Sequence, residues 1–306
     1  MLEISVQTDG FFDETQPEKS MLFIHDCGFD AVEYDILGHF PPHTILAEEK
    51  SPFFDQSIEE LREYYKPIKE AACRYKVDIV QMHAPFPLCV GTQEYNAYLM
   101  RVMEKIFAVA DFLGCPKLVI HPENHPSAVE REKNMQMFRE MIPMAKTYGI
   151  TICLENIFSY SDGHAIEGAC SSAEEACWYI DKLNEEAGED IFGCCFDIGH
   201  ANIVGRKIGE HVKTLGKRLV ALHIHETVGN TDSHMIPYTQ PYFYNNQRSS
   251  WTDWEGFLEG LRAIQYEGPI SFETYNGILF LPEEVRYEGY KLVSAIGRYF
   301  RDRING

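Results

Sequence analysis

The chain has 306 residues, 45% of them hydrophobic, enough to bury a full core as two small domains or one large one. Its 47 acidic and 27 basic residues give a formal net charge of −20, and no basic run is longer than Gly205-Arg206-Lys207 or Gly216-Lys217-Arg218. Such a surface repels phosphate backbones and anionic lipid, which argues against nucleic acid and membrane as partners.

The first residues, Met1-Leu2-Glu3-Ile4-Ser5-Val6, lack the basic-then-apolar pattern of a secretion signal. No apolar run reaches the ~20 residues of a membrane helix, so a cytoplasmic protein is expected. Nine cysteines without a C-x-x-C pair read as reduced thiols in the core. No Pro/Gly/Ser-rich linker breaks the chain, and residues 1–306 are expected to form a single domain.

Short apolar runs alternate with amphipathic stretches eight times, a pattern that predicts parallel strands joined by helical crossovers. The predicted strands are Glu3–Gln7, Ala31–Tyr34, Asp78–His83, Lys117–His121, Thr151–Glu155, Phe192–Asp197, Leu219–His225 and Pro269–Glu273. Between them, Glu94–Leu113 has one apolar face at three–four spacing, from Leu99 and Val102 to Leu113. Ser57 to Glu60, Ser172 to Glu175 and Thr252 to Glu255 fit the capping-box form, and Gly149 sits where the fourth helix should stop. The predicted fold is an α/β (β/α)8 TIM barrel, with its active site at the carboxyl ends of the strands. An open doubly wound sheet is the alternative, but Thr8-Asp9-Gly10-Phe11-Phe12 stands where its Gly-rich phosphate loop should follow the first strand.

Side-chain parity then sorts each strand, because residues two apart share a face. Ile152 and Leu154 would face the helices, leaving Cys153 and Glu155 for the barrel axis. Cys194 and Phe196 point outward with Cys195 and Asp197 inward, and Ile270 and Phe272 outward with Ser271 and Glu273 inward. His83, His121 and the pair His223/His225 obey the same rule, and a turn at Gly199 would present His200. Glu155, Asp197 and Glu273 gathered at one place would repel one another unless a cation sat between them. Carboxylates with imidazoles, and no cysteine at the strand tips, suit manganese, cobalt, magnesium or zinc. Taken singly, a histidine at a strand end is a hydrogen-bonded rim residue; six strands aiming polar groups at one point favour a shared site. His25, His39, His43, His125, His164 and His211 lack such support and read as ordinary surface or core residues.

The motifs Gly28-Phe29-Asp30-Ala31-Val32-Glu33, His83-Ala84-Pro85, His121-Pro122, Leu154-Glu155-Asn156 and Asp197-Ile198-Gly199-His200 open a series. It continues with Leu222-His223-Ile224-His225-Glu226, Asp232-Ser233-His234, and Asp253-Trp254 leading to Tyr266-Glu267-Gly268-Pro269-Ile270-Ser271-Phe272-Glu273. Together they resemble the xylose isomerase-like TIM-barrel superfamily, which holds sugar isomerases and epimerases, inosose dehydratases and nucleases of the endonuclease IV type. In its epimerase branch the resemblance implies one metal held by Glu155, Asp197, His223 and Glu273, with His200 contacting substrate oxygen. The two glutamates would there exchange a proton with the carbon beside the carbonyl. The nuclease-like set, with His83, His121, Asp232 and His234 added, is complete enough for a zinc cluster, and His225 stands among the further metal or substrate contacts. The chain departs from the epimerases at Glu226-Thr227-Val228-Gly229-Asn230, which lacks their substrate-binding Arg, and from true xylose isomerases at Ile157, where they place a Lys.

The leading expectation is a divalent-metal-dependent isomerase or epimerase of carbohydrate metabolism, acting on a ketose, keto-sugar or cyclitol. The alternatives are a lyase or dehydratase on a keto-cyclitol or oxidised glycoside, a zinc-cluster hydrolase, and a sugar-binding barrel without turnover. The long segments 35–56 and 229–252 are expected over the active-site face, with Phe11, Tyr242, Arg248 and Trp251 packing on or reading the sugar. The same aromatic loop could serve a homo-oligomer contact.

Overall fold

The computed structural model describes residues 2–124, 129–228, 231–239 and 252–306. Eight parallel strands with helices between them form a barrel of the predicted kind. They are β1 (Ile4–Gln7), β2 (Ala31–Asp35), β3 (Asp78–His83), β4 (Lys117–Ile120), β5 (Thr151–Glu155), β8 (Phe192–Asp197), β9 (Leu219–His223) and β12 (Ile270–Phe272). A hairpin of β6 (Phe158–Ser161) and β7 (His164–Glu167) follows β5, and a second of β10 (Glu226–Val228) and β11 (Thr231–Met235) follows β9. The ring closes where the Ile224 N–H donates to the Ser271 carbonyl at 2.9 Å and the Glu273 N–H to the Ile224 carbonyl at 3.1 Å. No helix among the described residues is long and apolar enough to cross a membrane.

Strand parity divides the core in two. Ile152, Leu154, Cys194, Phe196, Ile270 and Phe272 join the large apolar layer beneath the helices, whereas Val119, Cys153, Cys195 and Ala221 form a small plug inside the barrel. Small side chains suit that narrow interior, whose volume is filled by layers from alternate strands. All nine cysteines are free thiols.

The helix expected at Glu94–Leu113 runs over Gln93–Leu113, and Gly149 ends Glu130–Tyr148 in the left-handed conformation. Ser57 and Glu60 form the reciprocal capping box. At Ser172 only half the box exists, because Glu175 turns its carboxylate to the Cys170 N–H. The third cap lies one residue later than predicted: Asp253, not Thr252, accepts from the N–H three residues on, while the Thr252 hydroxyl donates to buried Glu226. Segment 35–56 is not a simple loop but two 3-10 turns, Leu37–His39 and Pro52–Asp55, around the short helix Pro42–Leu46. The start of segment 229–252 likewise holds β11.

Candidate metal and active site

Every barrel strand stops within two residues of a polar side chain that parity aims inward. The structure brings His83, His121, Glu155, Asp197, His223 and Glu273 together, with His200, His225, Asp232 and His234 on one flank. Asp197 caps the helix Ile198–Ile203, its Oδ1 accepting the His200 N–H at 2.7 Å. His200 is therefore presented by the first turn of a helix, not by the turn expected at Gly199. Gly199 is needed for another reason: a Cβ there would lie 2.0 Å from the His225 ring.

Glu155 is the hub. Its Oε2 lies 3.1 Å from His121 Nε2 and 3.4 Å from His83 Nε2, and its Oε1 lies 3.3 Å from both His223 Nδ1 and His200 Nδ1. His223 Nδ1 also faces Glu273 Oε1 at 3.5 Å and Asp197 Oδ2 at 3.9 Å. On the flank, Asp232 Oδ2 lies 3.1 Å from His234 Nε2 and 3.4 Å from His200 Nε2, and His225 Nε2 reaches Asp197 Oδ2 at 3.1 Å.

The outer hydrogen bonds fix which ring nitrogen faces the centre. His83 Nδ1 meets the Ala84 carbonyl at 2.8 Å and His234 Nδ1 the Glu273 carbonyl at 3.2 Å, which turns each Nε2 inward. His200 Nδ1 meets the Asn156 carbonyl at 2.9 Å, directing Nε2 to Asp232. His223 is reversed: its Nε2 donates to Glu33 Oε1 at 2.9 Å, so Nδ1 is the nitrogen that faces the centre. That Nδ1, with Glu155 Oε2 and Asp232 Oδ1, is buried and makes no well-aligned hydrogen bond among the described residues, although His121 Nε2 lies 3.1 Å from Glu155 Oε2. Three such atoms in one cluster of acceptors fit a cation site.

Distances agree. Ligand atoms of His83, Glu155 and His223 lie within 4.8 Å of one another, as do those of Glu33, His223 and Glu273, and of Glu155, Asp197 and His200. Two ligands across an ion at ~2.0–2.3 Å each are ~4–4.6 Å apart, so these spacings suit a divalent ion after slight contraction. The donor set of carboxylates and imidazoles, without thiolate, fits manganese, cobalt, magnesium or zinc.

The groups hold each other in opposed states. Burial pushes Glu155 up, but the histidines His223 and His121 outweigh it and keep the carboxyl well below its ordinary range. Glu273 goes the other way: burial, reinforced by Glu33, Glu155 and Asp197, raises it well above. Burial opposes the charge on His200, yet Asp197 and Asp232 raise it far above its ordinary value.

Several contributors were not read from the sequence. Glu33 binds His223 and accepts from Gln81 Nε2 at 2.7 Å and the Ser271 hydroxyl at 3.2 Å. Gln7 donates to Glu273 Oε1 at 2.5 Å. The Asn156 side chain exchanges hydrogen bonds with the backbone of Asp197 at 2.8 and 2.9 Å, locking the tips of β5 and β8 together. Phe158, on the β6–β7 hairpin, lies edge-on to His200 with ring centres 4.9 Å apart. Phe11, expected over the sugar, instead packs into the wall against Tyr290 and Phe23, at 4.7 and 5.7 Å between ring centres. Tyr242, Arg248, Trp251 and His125 lie outside the described residues.

Residues 22–291 match a family model described as xylose isomerase-like TIM barrel. Protein MJ1311 of Methanocaldococcus jannaschii is 27% identical over 225 residues, 69% of each chain. Protein y4fM of Sinorhizobium fredii is 23% identical over 182 residues, 59% of this chain and 54% of its own, so the match spans about half of that relative. Among solved structures, a D-tagatose 3-epimerase-like protein superposes with a TM-score of 0.70 at 21% identity, covering 99% of this chain and 98% of that one. The 3-keto-D-glucoside 4-epimerase YcjR from E. coli gives a TM-score of 0.70 at 16% identity, covering 98% and 100%. Likeness at this level establishes the fold.

Proposed function

Because the chain belongs to the xylose isomerase-like TIM-barrel family, we propose that it is a divalent-metal-dependent isomerase or epimerase moving a proton beside the carbonyl of a ketose, keto-sugar or cyclitol. The observation that carries this reading is the buried set Glu155, Asp197, His223 and Glu273, in which His223 Nδ1 lies 3.3, 3.9 and 3.5 Å from oxygens of Glu155, Asp197 and Glu273. The names of similar structures, among them an L-ribulose 3-epimerase and a D-psicose 3-epimerase, support the substrate class.

In this reading Glu155, Asp197, His223 and Glu273 hold the ion. A bound divalent cation would polarise the substrate carbonyl and acidify the C–H beside it. Glu155 and Glu273 reach the centre from separate walls of the barrel, β5 and the end of β12. One carboxylate takes the proton and the other returns it, so return from the opposite side inverts the carbon. His200, its Nε2 directed to Asp232 on the flank, holds a substrate oxygen. His83 and His121 orient Glu155 from below, while Asn156 keeps the spacing between Glu155 and Asp197.

The test is elemental analysis after dialysis with Mn²⁺, Co²⁺ or Zn²⁺, followed by a ketose and cyclitol screen in D₂O read by proton NMR. About one ion per chain, lost in Asp197→Ala, with deuterium entering next to a carbonyl, is the expected result. A protein that holds no ion, or one that never exchanges a sugar proton, overturns the reading. A second reading, a zinc-cluster hydrolase, draws on the grouping of His200, Asp232 and His234 beside the first set. It requires ~3 zinc ions per chain.

A further inference from the structure

Beside the metal cluster, a cavity of about 460 Å³ opens at the tips of β1 and β2. No cluster residue lines it, but two of its lining residues, Thr8 and Asp35, neighbour the cluster. Thr8 follows Gln7, the residue bonded to Glu273, and its hydroxyl accepts the Asp35 N–H at 2.9 Å. Asp35 in turn lies opposite His83 in the β2–β3 register. A ligand held by the cluster and larger than one sugar ring would extend toward this space.

The walls select for chemistry. Asp9, Asp13, Glu14 and Asp35 line the cavity, and no Lys or Arg does. Four carboxylates repel a phosphate or a carboxylate; Asp13 and Glu14 are taken up by protein donors, and Asp9 and Asp35 are left to accept hydrogen bonds from neutral hydroxyls. Phe12 and Tyr64 add aromatic faces of the kind on which sugar C–H groups pack. One wall is held rigid, because the Glu14 carboxylate accepts from the hydroxyls of Tyr34 and Tyr64 and from His39 Nε2, the last two at 2.7 and 2.8 Å. His39 is in turn stacked on Phe53 with ring centres 3.6 Å apart. This fixes segment 35–56 against the first loop before any ligand arrives.

We propose that this cavity is a subsite for the second, non-reacting unit of the substrate, an uncharged sugar joined by a glycosidic bond to the ring held at the metal cluster. The inference rests on the sugar reading above and narrows it to unphosphorylated glycosides. A single monosaccharide occupies the cluster alone and leaves the β1–β2 cavity to water.

Gly38 gives a direct test, because a Cβ added there meets nothing within 4 Å and a larger side chain would grow into the space. Calorimetry on Mn²⁺-loaded protein would compare D-fructose, fructose 6-phosphate and the keto-disaccharides turanose, isomaltulose, maltulose and lactulose, which share the fructose unit. At least one disaccharide should bind about tenfold more tightly than D-fructose, and fructose 6-phosphate more weakly. In Gly38→Leu, with its melting temperature checked, the disaccharide-to-fructose ratio should fall to about one. If D-fructose matches every disaccharide, if the phosphate binds best, or if Gly38→Leu leaves the ratio intact, the subsite is refuted while the sugar reading stands. If no sugar binds at all, both fall together.

Discussion

The two faces of one strand, β8, place histidines in equally buried but opposite surroundings. Outside the barrel, Phe196 packs against His211 with ring centres 4.9 Å apart; inside, the next residue, Asp197, caps the helix carrying His200. The two histidines are 6% and 7% exposed. Burial, helped by the charge of Arg206, depresses His211 to about 4, whereas Asp197 and Asp232 overcome the same burial and lift His200 far above its ordinary value. Burial sets the cost of a charge, and the neighbours decide whether it exists. The barrel wall thus separates a neutral, apolar exterior layer from a charged interior one, and a shift of one residue along the chain crosses between them.

The largest effect should come from removing charge on the inner face. Glu155→Gln and Glu273→Gln should each lower turnover by ~10²–10⁴-fold, the range for loss of an acid or base. The metal-free melting temperature should stay level or rise in Glu273→Gln, which relieves like-charge crowding, and fall in Glu155→Gln, which takes the counter-charge from the histidines around it. A variant that unfolds would mean that these carboxylates serve the barrel rather than the chemistry.

On the outer face the matching experiment is a pH series on stability. A histidine whose value falls from 6.5 unfolded to about 4 folded binds more protons when unfolded, so stability rises with pH across that window and is lost as pH falls through it. The drop corresponds to ~3 kcal/mol at the acid end. His211→Phe, which keeps the stack on Phe196, should remove that component between pH 6.5 and 4 and change little at neutral pH. An unaltered pH slope in the variant would show that His211 is not kept neutral by its surroundings.

This two-faced wall explains what the sequence disclosed. Alternation in Ile152 to Glu155 and Cys194 to Asp197 is a property of the strand itself, so inward residues and strand limits could be read to within about two residues. Three-dimensional company could not. Glu33 stood only as the end of a second-strand motif with no role attached, and only barrel closure brings it to His223, 190 residues away. Phe11 adjoins a predicted loop, but the helices Pro17–Cys27 and Glu283–Asn305 offer it an apolar seat. Thr252 lost its capping role to a buried carboxylate, Glu226, that no local pattern could foresee. The β6–β7 hairpin did carry a local signal, Asp162-Gly163, whose φ values of 49° and 77° are those a tight hairpin turn demands.

A finer probe of the comparison is Glu33→Gln, which leaves the shape of the inner layer and removes one negative charge. Glu33 now accepts from His223 with one oxygen and from Gln81 and Ser271 with the other. A glutamine can keep the His223 contact if its NH₂ faces Gln81, whose own oxygen has no partner among the described residues and could turn to receive it. Folding should therefore be nearly unaffected. His223 would lose the carboxylate that fixes its Nδ1 as the inward lone pair, and metal affinity should fall by ~10–100-fold, the usual effect of removing such a support. Competition against a chelator measures this directly. Unchanged affinity would remove His223 from the ligand set and leave Glu155, Asp197 and Glu273 as a purely carboxylate site.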